Sequence, residues 1–329
     1  MPELKRKLVK KSELSRFGAS TKAIVEAAWK KGIEVFYIHP KKSIFILKRD
    51  NVEKWYYKSR MSDDNRVGAL ITKDKQLTKE LLAAMDVPTA LGAVVQEEKT
   101  LLKEAQLLGY PVVVKPADSQ DGKAVFVNIC DDKTLRKSFL IANQYSENIM
   151  VEKFLPGRYY RFLVINKKFF AAAEARGATV VGNGKNTLAE LIETENNKTD
   201  KGKNSTRKKI VLNDKAKSFL LTQKLTTQSI PPQGQEITLS FSGADGGKWT
   251  DVTDRAHPDN KKISEKIATT LNMRLIGVDI MSPNISKPLS ENGGAVIEVN
   301  SAPTFDIHQQ PTAGKPRPVA AAIIKMLFE

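Results

Sequence analysis

Leu275–Pro303, LIGVDIMSPNISKPLSENGGAVIEVNSAP, reads as two strands joined by a loop of Pro, Ser, Asn and Gly. In Ile276–Met281, Gly277 and Asp279 share one parity and Val278 and Ile280 the other. In Ala295–Asn300, Glu298 and Asn300 share a face while Ile297 and Val299 point the opposite way. If the strands pair, three oxygen donors converge above an apolar floor, and hard oxygens of this kind suit Mg²⁺. The same pattern also describes a half-exposed hairpin whose polar residues face water.

The rest of the chain sets the context for that choice. With 329 residues, 41% hydrophobic and 27% charged, the protein has the composition of a globular chain of two or three lobes. No apolar run is long enough to span a membrane, and no apolar signal core follows the basic N-terminus. Cys130 is the single cysteine, so an internal disulfide is excluded, a reducing cytoplasm is implied, and a buried small hydrophobe is the expected role. The net charge of +16 points to anionic partners: a nucleotide, an acidic substrate or a nucleic acid. Its Lys and Arg are dispersed, with clusters at Lys5–Lys11 and Lys198–Lys209, and no aromatic-interleaved basic motif is present, so nucleic acid is the lesser reading.

Along the chain, a short amphipathic helix (Thr21–Lys31) precedes β-like runs at Val35–Pro40 and Ser43–Lys48. Helices follow at Lys75–Met85 and Lys99–Leu108, then strands at Pro111–Pro116 and Ala124–Ile129. Asp131 can cap a helix, Ile149–Gly157 is a strand with an exit turn, and YYRFLVI and KFFAAAEAR continue a sheet. Thr187 and Glu190 form a capping box, and Lys198–Lys209 has little to bury and reads as a candidate mobile cover. Helices at Lys215–Lys224, Asp259–Asn272 and Pro318–Phe328 complete a loose alternation that argues α+β or mixed α/β rather than an all-parallel sheet.

Several side chains can carry chemistry. Lys115 stands at a strand end before a polar turn with Gly122, a good place for phosphate oxygens and equally for a snorkelling lysine. At the exit of the Glu152–Leu155 strand, free backbone groups could read an adenine edge. Arg161 and Arg176 could each hold a carboxylate or phosphate with a bidentate fork, or lie on the surface. The turn Gly182, Asn183, Gly184 and Lys185 precedes the capped helix and could form an anion nest, or be a tight turn alone. His308, near Gly314 and Arg317, could orient a substrate or be structural. No Walker A loop, nucleophile triad or zinc-like histidine spacing occurs.

In their order, these segments resemble the ATP-grasp ligases, specifically the ATP-grasp region of cyanophycin synthetase and of the bifunctional glutathione synthetases. The motifs are ITKDKQLTKELL (71–82), YPVVVKP (110–116), VEKFLPGRYYRFLV (151–164), RGATVVGNGKNTLAELI (176–192), TDVTDRAHPDN (250–260), GVDI with VIEVNSAP, and FDIHQQPTAGKPRPVAAAI (305–323). The resemblance implies an α+β ATP-grasp fold of three lobes: an N-terminal lobe (1–74), a nucleotide lobe (75–157) and a C-terminal lobe with the metal and substrate sites (158–329). It implies ATP and one or two Mg²⁺ ions as cofactors. Lys75 and Lys115 would contact phosphates, and Glu152 with the backbone of Lys153, Phe154 and Leu155 would hold adenine. Asp279, Glu298 and Asn300 would bind Mg²⁺. Arg161, Arg176, Gly182–Lys185, His308 and Arg317 would lie nearer a small-molecule acid and amine, with Arg161, Arg176 and Lys115 in catalysis.

The implied activity is amide or peptide bond formation through an acyl phosphate, in a cytoplasmic protein with a homodimer as the family's usual assembly. A nucleotide-binding protein without ligase activity is the alternative. Three positions depart from the family pattern: Tyr159 where an acid for the ribose is usual, Ala124 where a second glycine is usual, and LSFSGADGG without the usual Arg.

Overall fold

A computed structural model describes residues 6–39, 44–118, 124–198, 209–240 and 246–329. Gly122, most of the Lys198–Lys209 segment and residues 241–245 of the Ser240–Gly247 stretch lie outside the described residues.

The N-terminal unit contains β1 (Lys7–Leu8), α1 (Ala19–Lys30), β2 (Glu34–His39), β3 (Ile44–Arg49), β4 (Val52–Tyr57) and β5 (Arg60–Met61). The strands form one meander in chain order. Next come α2 (Arg66–Ile71), α3 (Lys75–Ala84), β6 (Gly92–Val95), α4 (Glu98–Leu108), β7 (Val112–Pro116), β8 (Phe126–Ile129), α5 (Asp132–Ala142) and β9 (Ile149–Lys153). Their sheet has the order β6-β9-β7-β8. The hairpin β10 (Arg158–Ile165) and β11 (Lys168–Arg176) leads into β12 (Thr179–Val181), α6 (Leu188–Asn197), α7 (Asp214–Thr222) and β13 (Glu236–Thr238). The chain then returns through β14 (Lys248–Asp251), α8 (Pro258–Thr270), β15 (Leu275–Ser282), α9 (Leu289–Asn292), β16 (Ala295–Asn300), α10 (Asp306–Gln309) and α11 (Val319–Phe328). The second large sheet has the order β14-β11-β10-β15-β16. All strand pairs among the described residues are antiparallel.

Local chemistry explains the element starts. Asp74 Oδ1 accepts the Leu77 N–H at 3.0 Å and opens α3; Asp131 does the same for Thr134 at 2.7 Å and opens α5. Thr187 and Glu190 form the reciprocal box that starts α6. The apolar α11 buries one face, with Ala321 and Lys325 exposed on the other, and Ile323, Ile324 and Leu327 join α1 and the N-terminal sheet in one core.

Leu82 and Met85 of α3 pack with Val278, Ile280 and Val299 of the second sheet, not with the first. Residues 178–239 build a small core of their own from Val180, Leu188, Ile192, Leu220 and Ile237. Cys130 is exposed, not buried, because it sits between the end of β8 and the cap of α5. Ala124 adopts φ +50° and is fully buried, so an L-residue here holds the left-handed conformation that glycine adopts without strain.

Candidate active site

The opening hairpin pairs as β15 and β16, with Gly277 opposite Asn300 and Asp279 opposite Glu298. The next aligned pair is Ile280 with Val296, so Ile297 is an extra residue on β16. This bulge overturns strict alternation: Ile297 lines the same cavity as Glu298 and Asn300 instead of joining the floor. Val278, Ile280 and Val299 form the buried floor.

That cavity, about 470 Å³, lies between the two sheets and is lined from both. Along β7 the exposure alternates, placing Val113 and Lys115 on the cavity side and Val112 and Val114 in the core. From the opposite sheet come Arg161, Asp279, Glu298 and Asn300. Lys75, from the first turn of α3, donates to Ala117 O at 3.1 Å. Burial lowers its pKa, and Glu298 acts against that shift.

Glu152 is also on the cavity wall. Its side chain is buried between two ammonium groups, Lys115 Nζ at 2.5 Å and Lys79 Nζ at 2.6 Å. Burial pushes its pKa up, and Lys115 and Lys79 more than reverse that, so the carboxyl stays ionised. Lys79, one helical turn after Lys75, was not singled out in the sequence; the i, i+4 spacing of two lysines on α3 is the signal that could have found it. Beyond Glu152, the Lys153 N–H goes to Leu91 O at 2.8 Å and the Phe154 N–H to Pro111 O at 3.1 Å. The Lys153 ammonium donates to Gly109 O at 2.8 Å. Leu155 is the next residue on the cavity wall.

Asp279 is 1% exposed and is bound by Arg161 through Nε to Oδ1 and through Nη2 to Oδ2 at 2.9 Å. Asn300 Nδ2 donates to the same Oδ2 at 2.9 Å, leaving its Oδ1 available as a ligand atom. Glu298 has no hydrogen bond or ion pair among the described residues. Burial, then the Asp279 charge, raise its pKa. A half-buried carboxylate without a direct ion pair among the described residues, beside a second carboxylate and an amide oxygen, makes an all-oxygen donor set that fits Mg²⁺, while Lys75, Lys115 and Arg161 act on it from farther away. No group of three or more His, Cys, Asp and Glu clusters anywhere among the described residues.

Other expected site residues lie elsewhere. Arg176 is exposed, near Glu174 at 3.6 Å, and borders a second cavity of about 590 Å³. Tyr159 and Ser240 line both cavities and so stand between them. The Gly182–Lys185 turn does not offer an open anion nest. The Gly182 and Gly184 N–H groups go to Gln235 O and Pro231 O, and those of Lys185 and Asn186 go to Asn183 Oδ1. Arg317 is held by Asp251, with Nη2 to Oδ2 at 2.7 Å, and by Asp254 at 3.1 Å, which neutralises the guanidinium. His308 is 1% exposed, and neither ring nitrogen has a partner among the described residues. Burial first, then Arg161, pushes its pKa down to about 3, so the ring is neutral and away from the cavity wall.

The loop after β16 is tied to the N-terminal unit. Ser59 Oγ donates to Pro303 O at 2.5 Å, and Phe305 is fully buried in that unit's core. Ala302, Pro303 and Thr304 line the cavity between these anchors. Ser59→Ala is expected to lose about 1 kcal/mol of stability and to loosen this wall. Urea unfolding and the KM of each substrate measure the two effects.

The described residues contain no helix long and apolar enough to cross a membrane. Residues 74–162 match the family model for the ATP-binding domain of the carbamoyl-phosphate synthase L chain. The chain is 34% identical over 318 residues to cyanophycin synthetase of Trichormus variabilis, covering 94% of this chain and 35% of the relative. It is 30% identical over 318 residues to the bifunctional glutathione biosynthesis protein of Clostridium perfringens, covering 94% of this chain and 41% of the relative. A crystal structure of the bifunctional glutathione synthetase from Pasteurella multocida superposes with a TM-score of 0.66 at 27% identity, over 96% of this chain and 44% of that one. The chain thus spans between a third and a half of the length of these relatives.

Proposed function

The chain belongs to the ATP-grasp superfamily, and from that premise we propose that it is an ATP-dependent carboxylate–amine ligase forming an amide or peptide bond through an acyl phosphate. One observation carries the reading: a single cavity collects lysines from one wall and an all-oxygen donor set from the other. Adenine would lie along Phe154 and Leu155, with the Leu155 N–H as the amide donor, since those of Lys153 and Phe154 are taken. The buried Glu152 would set the two lysines beside it rather than touch the base.

Asp279, Glu298 and the Oδ1 of Asn300 would hold Mg²⁺, which when bound offsets charge on the phosphate oxygens. Lys75 and Lys115 would hold the phosphates from the opposite wall, and the Arg161 guanidinium would face the acid being activated. The substrates would be a small acid and an amine of the amino-acid kind, as the names of the relatives suggest. Access of the amine through the second cavity, past Tyr159, would keep it apart from the nucleotide.

A second reading, nucleotide binding without ligation, draws on the engagement of Asp279 by Arg161 and on Tyr159 at the cavity wall. The 329-residue chain, incubated with ATP, Mg²⁺ and pairs of amino acids, is expected to release ADP only with a matching pair and to yield a hydroxamate when hydroxylamine replaces the amine. ATP binding in a calorimeter with neither ADP nor hydroxamate across the panel would establish the second reading.

A further inference from the structure

We propose that Arg161 is the resident counter-cation of Asp279 and that a divalent ion gains this carboxylate by displacing the guanidinium. The inference rests on the metal assignment to Asp279, Glu298 and Asn300 given above.

Arg161 on β10 is the direct cross-strand neighbour of Asp279 on β15, so both side chains leave the same face of the sheet. The guanidinium engages both carboxylate oxygens, Nε on Oδ1 and Nη2 on Oδ2, and Asn300 adds a third donor to Oδ2. Nη2 is also held by the Tyr159 hydroxyl oxygen at 2.9 Å. Burial opposes the Arg161 charge, and Asp279 outweighs it, holding the guanidinium firmly protonated.

Room for this pairing comes from Gly277, two residues before Asp279 on the same face. A Cβ there would come within 2.9 Å of Pro303 Cβ and 3.1 Å of Arg161 Cδ. The missing side chain is therefore a slot for the Arg161 stem. The two carboxylates of the site are thus in different states. Glu298 makes no ion pair among the described residues and feels Lys75, Lys115 and Arg161 only from farther away, so it is open to an incoming cation, whereas Asp279 already has a guanidinium on both its oxygens. A dication sharing Asp279 with the bound guanidinium would meet like-charge repulsion at close range in a partly buried site. Tyr159 keeps the displaced group beside the ion, since its hydroxyl holds Nη2 independently of Asp279.

The test is Mn²⁺ binding to the full chain at low salt, with free ion counted by electron paramagnetic resonance, so no turnover is needed. Arg161→Met is expected to bind Mn²⁺ about tenfold tighter than wild type or better. Tyr159→Phe, which removes one anchor of the guanidinium and leaves the charge in place, is expected to tighten binding by a smaller factor, about twofold to fivefold. In wild type, Mg²⁺ is expected to shift the Arg161 Nε–H resonance with the half-saturation of binding. If Glu298→Gln loses Mn²⁺ while Arg161→Met and Tyr159→Phe bind it no tighter than wild type, and the Nε–H signal stays still, the displacement is overturned and the metal site stands. If Glu298→Gln binds Mn²⁺ as wild type does, the metal assignment itself is overturned and the inference goes with it.

Discussion

Glu298→Gln is expected to lower kcat/KM for ATP-dependent turnover by about a hundredfold or more, with the fold intact. The carboxylate is half-buried, faces the cavity and makes no ion pair among the described residues, with Lys75, Lys115 and Arg161 acting on it only from farther away. The amide isostere keeps the shape of this group while removing the charge that a metal ion would meet. The pH dependence follows the same logic. Burial and Asp279 raise the Glu298 pKa, so a proton competes with the metal at a higher pH than for an ordinary carboxylate. Metal affinity should accordingly rise with pH through and beyond the usual glutamate range near 4.3 and level off only above the raised value. The Glu298→Gln protein should lack that rise. Mn²⁺ affinity against pH, measured for both proteins, checks it; turnover unchanged in the variant would remove Glu298 from the metal site.

Glu152→Ala is expected to destabilise the protein by about 3 kcal/mol or more, because Lys79 and Lys115 are then left in a buried setting without a counter-charge. Truncating Lys79 as well, in Lys79→Met with Glu152→Ala, removes one of the stranded charges, so the double variant should lose less than the sum of the single ones. The sign in pH is fixed by the depressed Glu152 pKa. The carboxylate's contribution is full above the unfolded value near 4.3 and is lost as pH falls through the lower folded value. Urea titrations of the wild type, both single variants and the double variant at neutral pH give the coupling. Full additivity would mean that the two ammonium groups do not share Glu152.

The same residues show how far a sequence can be read. The β15–β16 hairpin was legible because two short runs of strict alternation flank a Pro, Asn and Gly-rich loop, and side-chain parity is a local property of a strand. The capping residues Asp131 and Thr187 were equally local. Ile297 was misplaced because a bulge is a property of the pair: it appears only when β16 is laid beside β15.

Charge partners were the other blind spot. Glu152 reads as a strand-end carboxylate until α3 brings Lys79 across from 73 residues away. Arg317 reads only as a cation near His308 on the substrate side until β14 presents Asp251 to it. The Gly182–Lys185 turn has the composition of an anion nest, and the chain at 231–235 together with Asn183 takes up its N–H groups.

By itself, then, the sequence determined on which face of their strands Asp279, Glu298 and Asn300 stand and where the capped helices begin, because periodicity and capping act within a few residues. Only the tertiary structure decided which of them are available. A buried charge takes whatever partner the packing supplies, and packing brought Arg161 to Asp279, Lys79 and Lys115 to Glu152, and left Glu298 without a direct ion pair among the described residues.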